Sequence, residues 1–138
     1  MPYLIEDFSP AVTYEGDNTV MAQQSCRFLQ KLYKKAKQGK PMPSDLYDYI
    51  AKIDKNLQLK CLAKSPLDFT TLEQVDESLK VIAAASIDKT MRKVLSSSEK
   101  MKVIVNKTMA LDLVNLTKKH INYMTFICFK KSIMKLKD

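Results

Sequence analysis

Apolar residues recur at helical spacing along most of the chain. Between Val20 and Gln38 they fall at Ala22, Cys26, Leu29, Tyr33 and Ala36, which predicts an amphipathic helix. Asp17, Asn18 or Thr19 can cap it by accepting a hydrogen bond from an orphan amide, and Gly39 followed by Pro41 and Pro43 stops it. Ser44 is a second cap, ahead of a shorter helix with Leu46, Ile50, Ile53 and Leu57 on one face, and the loop around Lys64-Ser65-Pro66 is the one internal hinge the pattern offers. Two overlapping capping boxes, Thr70 with Glu73 and Thr71 with Gln74, precede a long helix carrying Leu72, Val75, Leu79, Ile82, Ser86 and Ile87, which Ser96-Ser97-Ser98 interrupts. From Glu99 the pattern stays helical through Met101, Val105, Met109, Asp112, Leu116, Tyr123 and Ile127. Neither proline nor glycine breaks it, so one helix of roughly 60 Å running to Asp138 is expected. The first dozen residues, with Pro2 and Pro10, are expected to be extended or irregular.

Composition sharpens this reading. A chain of 138 residues with 46% hydrophobic residues has the material for one packed core. Two glycines and no tryptophan argue against a turn-rich all-β sandwich and against phosphate loops built from repeated glycine. The expected fold class is therefore all-α, a helical bundle. Eight methionines at helical spacing read as packing.

The net charge of +8 is unevenly distributed: residues 1–26 hold Glu6, Asp7, Glu15 and Asp17 and no Lys or Arg, and the excess of basic charge lies in the remainder. A basic body suits nucleic acid, anionic lipid or an acidic protein, but the lysines come singly or in pairs, read as solvated faces, and accompany no base-reading motif. Three unpaired cysteines and one histidine supply neither a zinc nor a disulfide framework, so no metal is expected. Cys26 falls on the predicted buried face, and His120 reads as a packing or surface residue. No run approaches the ~18 apolar residues of a membrane span, and MPYLIEDFSP lacks the basic leader of a secretory signal.

One segment is dense in unusual choices. The run Thr13-Tyr14-Glu15-Gly16-Asp17-Asn18-Thr19-Val20, continuing through Met21-Ala22-Gln23-Gln24-Ser25-Cys26-Arg27-Phe28-Leu29, closely resembles the motif of the acyl-CoA oxidases, FAD-dependent flavoenzymes of fatty-acid β-oxidation. Leu111-Asp112-Leu113-Val114 and His120 with Tyr123 resemble that family's carboxy-terminal helical region. The likeness covers nearly the whole chain, strongly over 12–36 and weakly between 40 and 100. It implies that 1–39 are the catalytic-glutamate loop and first helix, and that 40–138 are part of the carboxy-terminal helical domain, in one structural unit.

The resemblance makes Glu15 the base that removes an α-proton from a fatty acyl-CoA while a β-hydride passes to FAD. The product is the trans-2-enoyl-CoA, and oxygen reoxidises the flavin to give hydrogen peroxide. A carboxylate can do this only within close reach of the carbon and partly desolvated, so that its basicity rises. Gly16 permits close approach because it has no Cβ. Asp17, Asn18 and Thr19 are implied to cap the helix and touch the cofactor near its amino end.

The family context adds a homodimer in the complete enzyme, no specific nucleic acid, and a peroxisomal location. The chain departs from the family pattern in three ways. The Cys-Gly-Gly-His-Gly-Tyr-type segment preceding the family's glutamate is absent, as are its amino-terminal helical domain and its β-domain. The last residues are Lys135-Leu136-Lys137-Asp138 in place of a Ser-Lys-Leu-type peroxisomal address, which leaves the cytoplasm as the alternative location. The 138 residues alone are accordingly expected neither to retain FAD nor to turn over substrate. The alternative function is a truncated, non-catalytic paralogue acting as a basic helical binding or subunit-pairing module.

Overall fold

Three long helices meet along one apolar seam in the computed structural model, which describes residues 18–59, Ser65 and residues 69–136. Helix α1 spans Asn18–Lys37 and buries Ala22, Cys26, Leu29, Leu32 and Tyr33, the stripe expected from the spacing with Leu32 added and Ala36 only half-buried. It ends as predicted. Gly39 adopts φ +65°, its N–H donates to the Ala36 carbonyl at 3.0 Å, and the Lys40 N–H donates to the Lys35 carbonyl at 3.0 Å. These two bonds make a Schellman closure, which needs a residue tolerant of positive φ.

Ser44 caps the next element as predicted, its Oγ accepting from the Leu46 N–H at 3.3 Å. The single short helix expected there is instead three pieces: a 3₁₀ turn over Asp45–Tyr47, α2 over Asp48–Ala51 and α3 over Ile53–Asn56. The break lies at Lys52, with φ −97° and ψ 25°. Across it the Asn56 side-chain amide donates to the Tyr49 carbonyl at 2.8 Å, a polar tie that apolar spacing does not report. Tyr49, Ile50 and Ile53 are buried.

Helix α4 spans Leu72–Ser96. Of the two possible capping boxes the chain uses Thr71 with Gln74: Thr71 Oγ1 accepts from the Gln74 N–H and Gln74 Oε1 accepts from the Thr71 N–H, each at 3.3 Å. The serine run ends the helix, with Ser97 extended at φ −76° and ψ 136°. The buried stripe is Ala83, Ala84, Ile87, Met91 and Val94, whereas Ile82, expected on the apolar face, is 47% exposed. Five residues from Ile87, it lies about 140° around the helix.

The expected single helix after Glu99 is also overturned. Helix α5 covers only Met101–Val103, a π-turn follows over Ile104–Thr108, and α6 begins after a break at Met109 and runs over Ala110–Lys135, about 39 Å. No proline or glycine is involved. The Met109 N–H donates to the Ile104 carbonyl at 2.9 Å, a five-residue span that allows Ile104 and Met109 both to be buried. In an uninterrupted α-helix the two would lie about 140° apart. Thr108 Oγ1 donates to Glu99 Oε2 at 2.7 Å across the turn.

Helix α6 contributes Leu113, Leu116, Thr117, His120 and Tyr123 to the interior. It runs antiparallel to α4, because Lys93 pairs with Asp112 and Asp76 with Lys130. It runs antiparallel to α1 as well, because Ala22 meets Thr117 and Cys26 meets Leu113. Among the described residues every regular element is helical, as expected for an all-α bundle. Fully buried Leu29, Leu32, Ile50, Ile53, Ile87 and Leu116 anchor it, each worth about 1.5–3 kcal/mol by transfer from water.

Candidate functional site

Of the predicted site residues, Glu15, Gly16 and Asp17 lie outside the described residues, while Asn18 and Thr19 are the first two residues of α1. The first turn of α1 carries no acidic residue, and the amino end of a helix is the positive end of its dipole.

A buried clamp fixes this end of α1 on α6. Thr117 Oγ1 donates to the Ala22 carbonyl at 3.2 Å, Cys26 Sγ donates to the Leu113 carbonyl at 3.0 Å, and Cys26 Sγ and Thr117 Oγ1 lie 3.0 Å apart. Burial pushes the Cys26 thiol up, with the Thr117 contact opposing. A thiol that is harder to ionise is a packing group, as the sequence reading held for Cys26. Thr117 was not singled out there, although a threonine on an inward register between Leu113 and His120 is the signature of a buried hydrogen bond.

A second polar contact ties α1 to α4. The Tyr33 hydroxyl donates to Asp88 Oδ1 at 2.8 Å, and Arg92 Nε donates to Asp88 Oδ2 at 2.7 Å. Burial, then the hydrogen bond and charge of Asp88, push the Tyr33 phenol up to about 12.

Further along α6 an aromatic and ionic cluster receives the short helices. His120 is buried, shares a hydrogen bond of 2.5 Å with the Tyr49 hydroxyl through Nδ1, and stacks near Tyr47. Burial lowers its pKa to about 4. Tyr49 meets Tyr123 edge-on with ring centroids 4.7 Å apart. Burial raises both phenols, and the neighbouring Asp76 adds to the rise at Tyr123. Asp76 Oδ2 accepts from Lys130 Nζ at 2.8 Å, while Oδ1 is buried without a hydrogen bond and lies 3.8 Å from Lys80 Nζ.

Beside this cluster opens a cavity of about 200 Å³, with Asp45, Asp48, Tyr49, Lys52, Lys80 and Tyr123 in its wall. Ligand pockets for molecules of drug size measure about 300–1,000 Å³. FAD is larger still and does not fit there. The amides opening a helix are suited to an anionic cofactor, and α1 begins at Asn18 and Thr19. No group of three or more His, Cys, Asp or Glu side chains that could hold a metal occurs among the described residues, and none of their helices is long and apolar enough to cross a membrane.

Comparison with known proteins gives the following. No family profile matches the sequence, and no solved structure matches the fold. The whole chain is similar to part of the protein named peroxisomal acyl-coenzyme A oxidase 1 in several mammals. Identity is 30% with the Mus musculus and Rattus norvegicus proteins and 31% with that of Cavia porcellus, in each case over 100% of this chain and 22% of the relative. The chain thus spans about a fifth of the length of the curated relatives it matches, and it corresponds along its whole length to an acyl-CoA oxidase segment.

Proposed function

We propose, from the premise that the chain is an acyl-CoA oxidase segment, that it carries the catalytic base of a FAD-dependent fatty acyl-CoA oxidase and the start of that enzyme's helical carboxy-terminal region. The observation that carries the proposal is similarity over the entire chain to proteins named peroxisomal acyl-coenzyme A oxidase 1. The motif around Glu15, quoted from the sequence alone, supports the same reading.

In this reading Glu15 takes the α-proton of the acyl thioester, and Gly16 leaves room for the substrate to come close. FAD, when bound, supplies the acceptor for the β-hydride. In the same reading Asp17, Asn18 and Thr19 belong to the cofactor-binding segment, and the amides that open a helix favour negative charge. The clamp of Thr117 and Cys26 holds the amino-terminal half of α1 on α6. The substrate is a fatty acyl-CoA, the complete enzyme is a homodimer, and the compartment is the peroxisome.

The test is Glu15→Gln in the full-length enzyme containing this segment. Turnover should fall by about 10²–10⁴-fold, the usual contribution of a general base, while the visible absorbance of bound flavin is retained. Ordinary turnover by this variant would refute the assignment of Glu15.

A further inference from the structure

The outward face of α1 carries charge of one sign, with no counter-charge paired to it among the described residues. The helix contains Arg27, Lys31, Lys34, Lys35 and Lys37 and no Asp or Glu. Lys37 is paired with Asp54 at 2.6 Å. Lys52, Lys80, Lys93, Lys130 and Lys131 elsewhere also reach carboxylates. Among the described residues no ion pair is formed by Arg27, Lys31, Lys34 or Lys35, and all four are exposed. With Leu29, Leu32 and Tyr33 inward, the four cations fall on the opposite side, and Arg27 to Lys34 covers about 10 Å of helix. Met21 and Phe28 adjoin them, 57% and 40% exposed, with one side of the Phe28 ring taken by Tyr47 at a centroid distance of 5.4 Å. Positions 21, 28 and 35 repeat every seven residues and so line up along the helix.

We propose that this face of α1 docks on the surface of a bilayer containing anionic headgroups. Charge complementarity selects an anionic partner: each cation brought to such a surface strengthens binding about fivefold. The two apolar side chains beside the cations select a lipid surface over a nucleic-acid backbone, because they suit the boundary between headgroups and acyl chains. The docking is independent of flavin chemistry and of the role of Glu15.

The experiment is co-sedimentation of the full 138-residue chain with vesicles of phosphatidylcholine, with and without phosphatidylserine. The chain should pellet only with the anionic vesicles and release as rising salt shortens the Debye length. Arg27→Gln/Lys31→Gln/Lys34→Gln/Lys35→Gln should weaken partitioning by about 100-fold or more. Lys89→Gln/Lys100→Gln/Lys102→Gln/Lys107→Gln removes the same charge from exposed positions elsewhere and should keep most of the binding. Met21→Ser/Phe28→Ser, which leaves the charge intact, should also weaken it. No binding to anionic vesicles, or equal loss in the two charge-matched variants, would overturn the proposal. So would tighter capture by duplex DNA than by vesicles.

Discussion

Tyr49 and His120, far apart in the sequence, meet in the interior through a hydrogen bond of 2.5 Å between the phenol and Nδ1. With the tyrosine donating, the imidazole is neutral and carries its proton on Nε2. The bond joins α2 to α6, and Tyr123 closes over Tyr49 from the side.

This pair makes the fold sensitive to acid. His120 has a pKa near 4 in the folded chain against an ordinary 6.5, so between those values the unfolded chain binds a proton that the folded chain refuses. Its contribution is complete above pH 6.5 and is lost as the pH falls toward about 4. At about 1.4 kcal/mol per pH unit, the window is worth about 3 kcal/mol. Urea unfolding at successive pH values should show this slope in the wild type and a flatter one in His120→Gln. Parallel curves would contradict it.

Thr71→Ala should destabilise the chain by about 1 kcal/mol, because it removes the acceptor for the Gln74 amide. Thr70→Ala should leave stability nearly unchanged. Thermal melts of the two variants separate the boxes, and equal losses would show that α4 is not capped as described.

On α4 the inward face is set by alanines. Ala84→Leu should cost about 1–3 kcal/mol by overpacking a site with no free surface. Ile82→Gln, at a position 47% exposed, should stay within about 0.5 kcal/mol. Chemical denaturation decides the matter, and a larger loss for Ile82→Gln would reverse the assigned face.

Tyr33→Phe should cost about 1–3 kcal/mol, because it takes one donor from the buried Asp88 carboxylate. Arg92→Ala should cost less, since its side chain is largely in solvent. Equal effects in denaturant titrations would argue against the Tyr33 contact as the principal tie between α1 and α4.

The helix ends were the most legible features of the sequence. Gly39, Ser44 and the serine run after Val94 and Leu95 act on backbone groups a few residues away, so neighbouring residues suffice to place them, whereas the choice of Thr71 over Thr70 came from the structure. The stripe of α1 was legible for the same kind of reason, since its apolar positions repeat without interruption. The candidate site was readable only as a motif. The sequence pointed to Glu15 and the entry to α1, but not to Thr117, whose partner on Ala22 lies on another helix. It read His120 as a packing or surface residue, without choosing between them, and did not point to Tyr49 as the group that meets it.

What the sequence by itself determined is the all-α class, the stops of α1 and α4, and the likeness to acyl-CoA oxidases that the comparisons uphold. The tertiary structure alone decided the break at Lys52, the choice of Ala83 and Ala84 over Ile82, and the π-turn that divides the last helical run. Local pattern favours an uninterrupted helix at each break. The intrahelical geometry given up there is offset only by long-range contacts, such as the burial of Ile104 and Met109 together, and these exist only once the helices have packed.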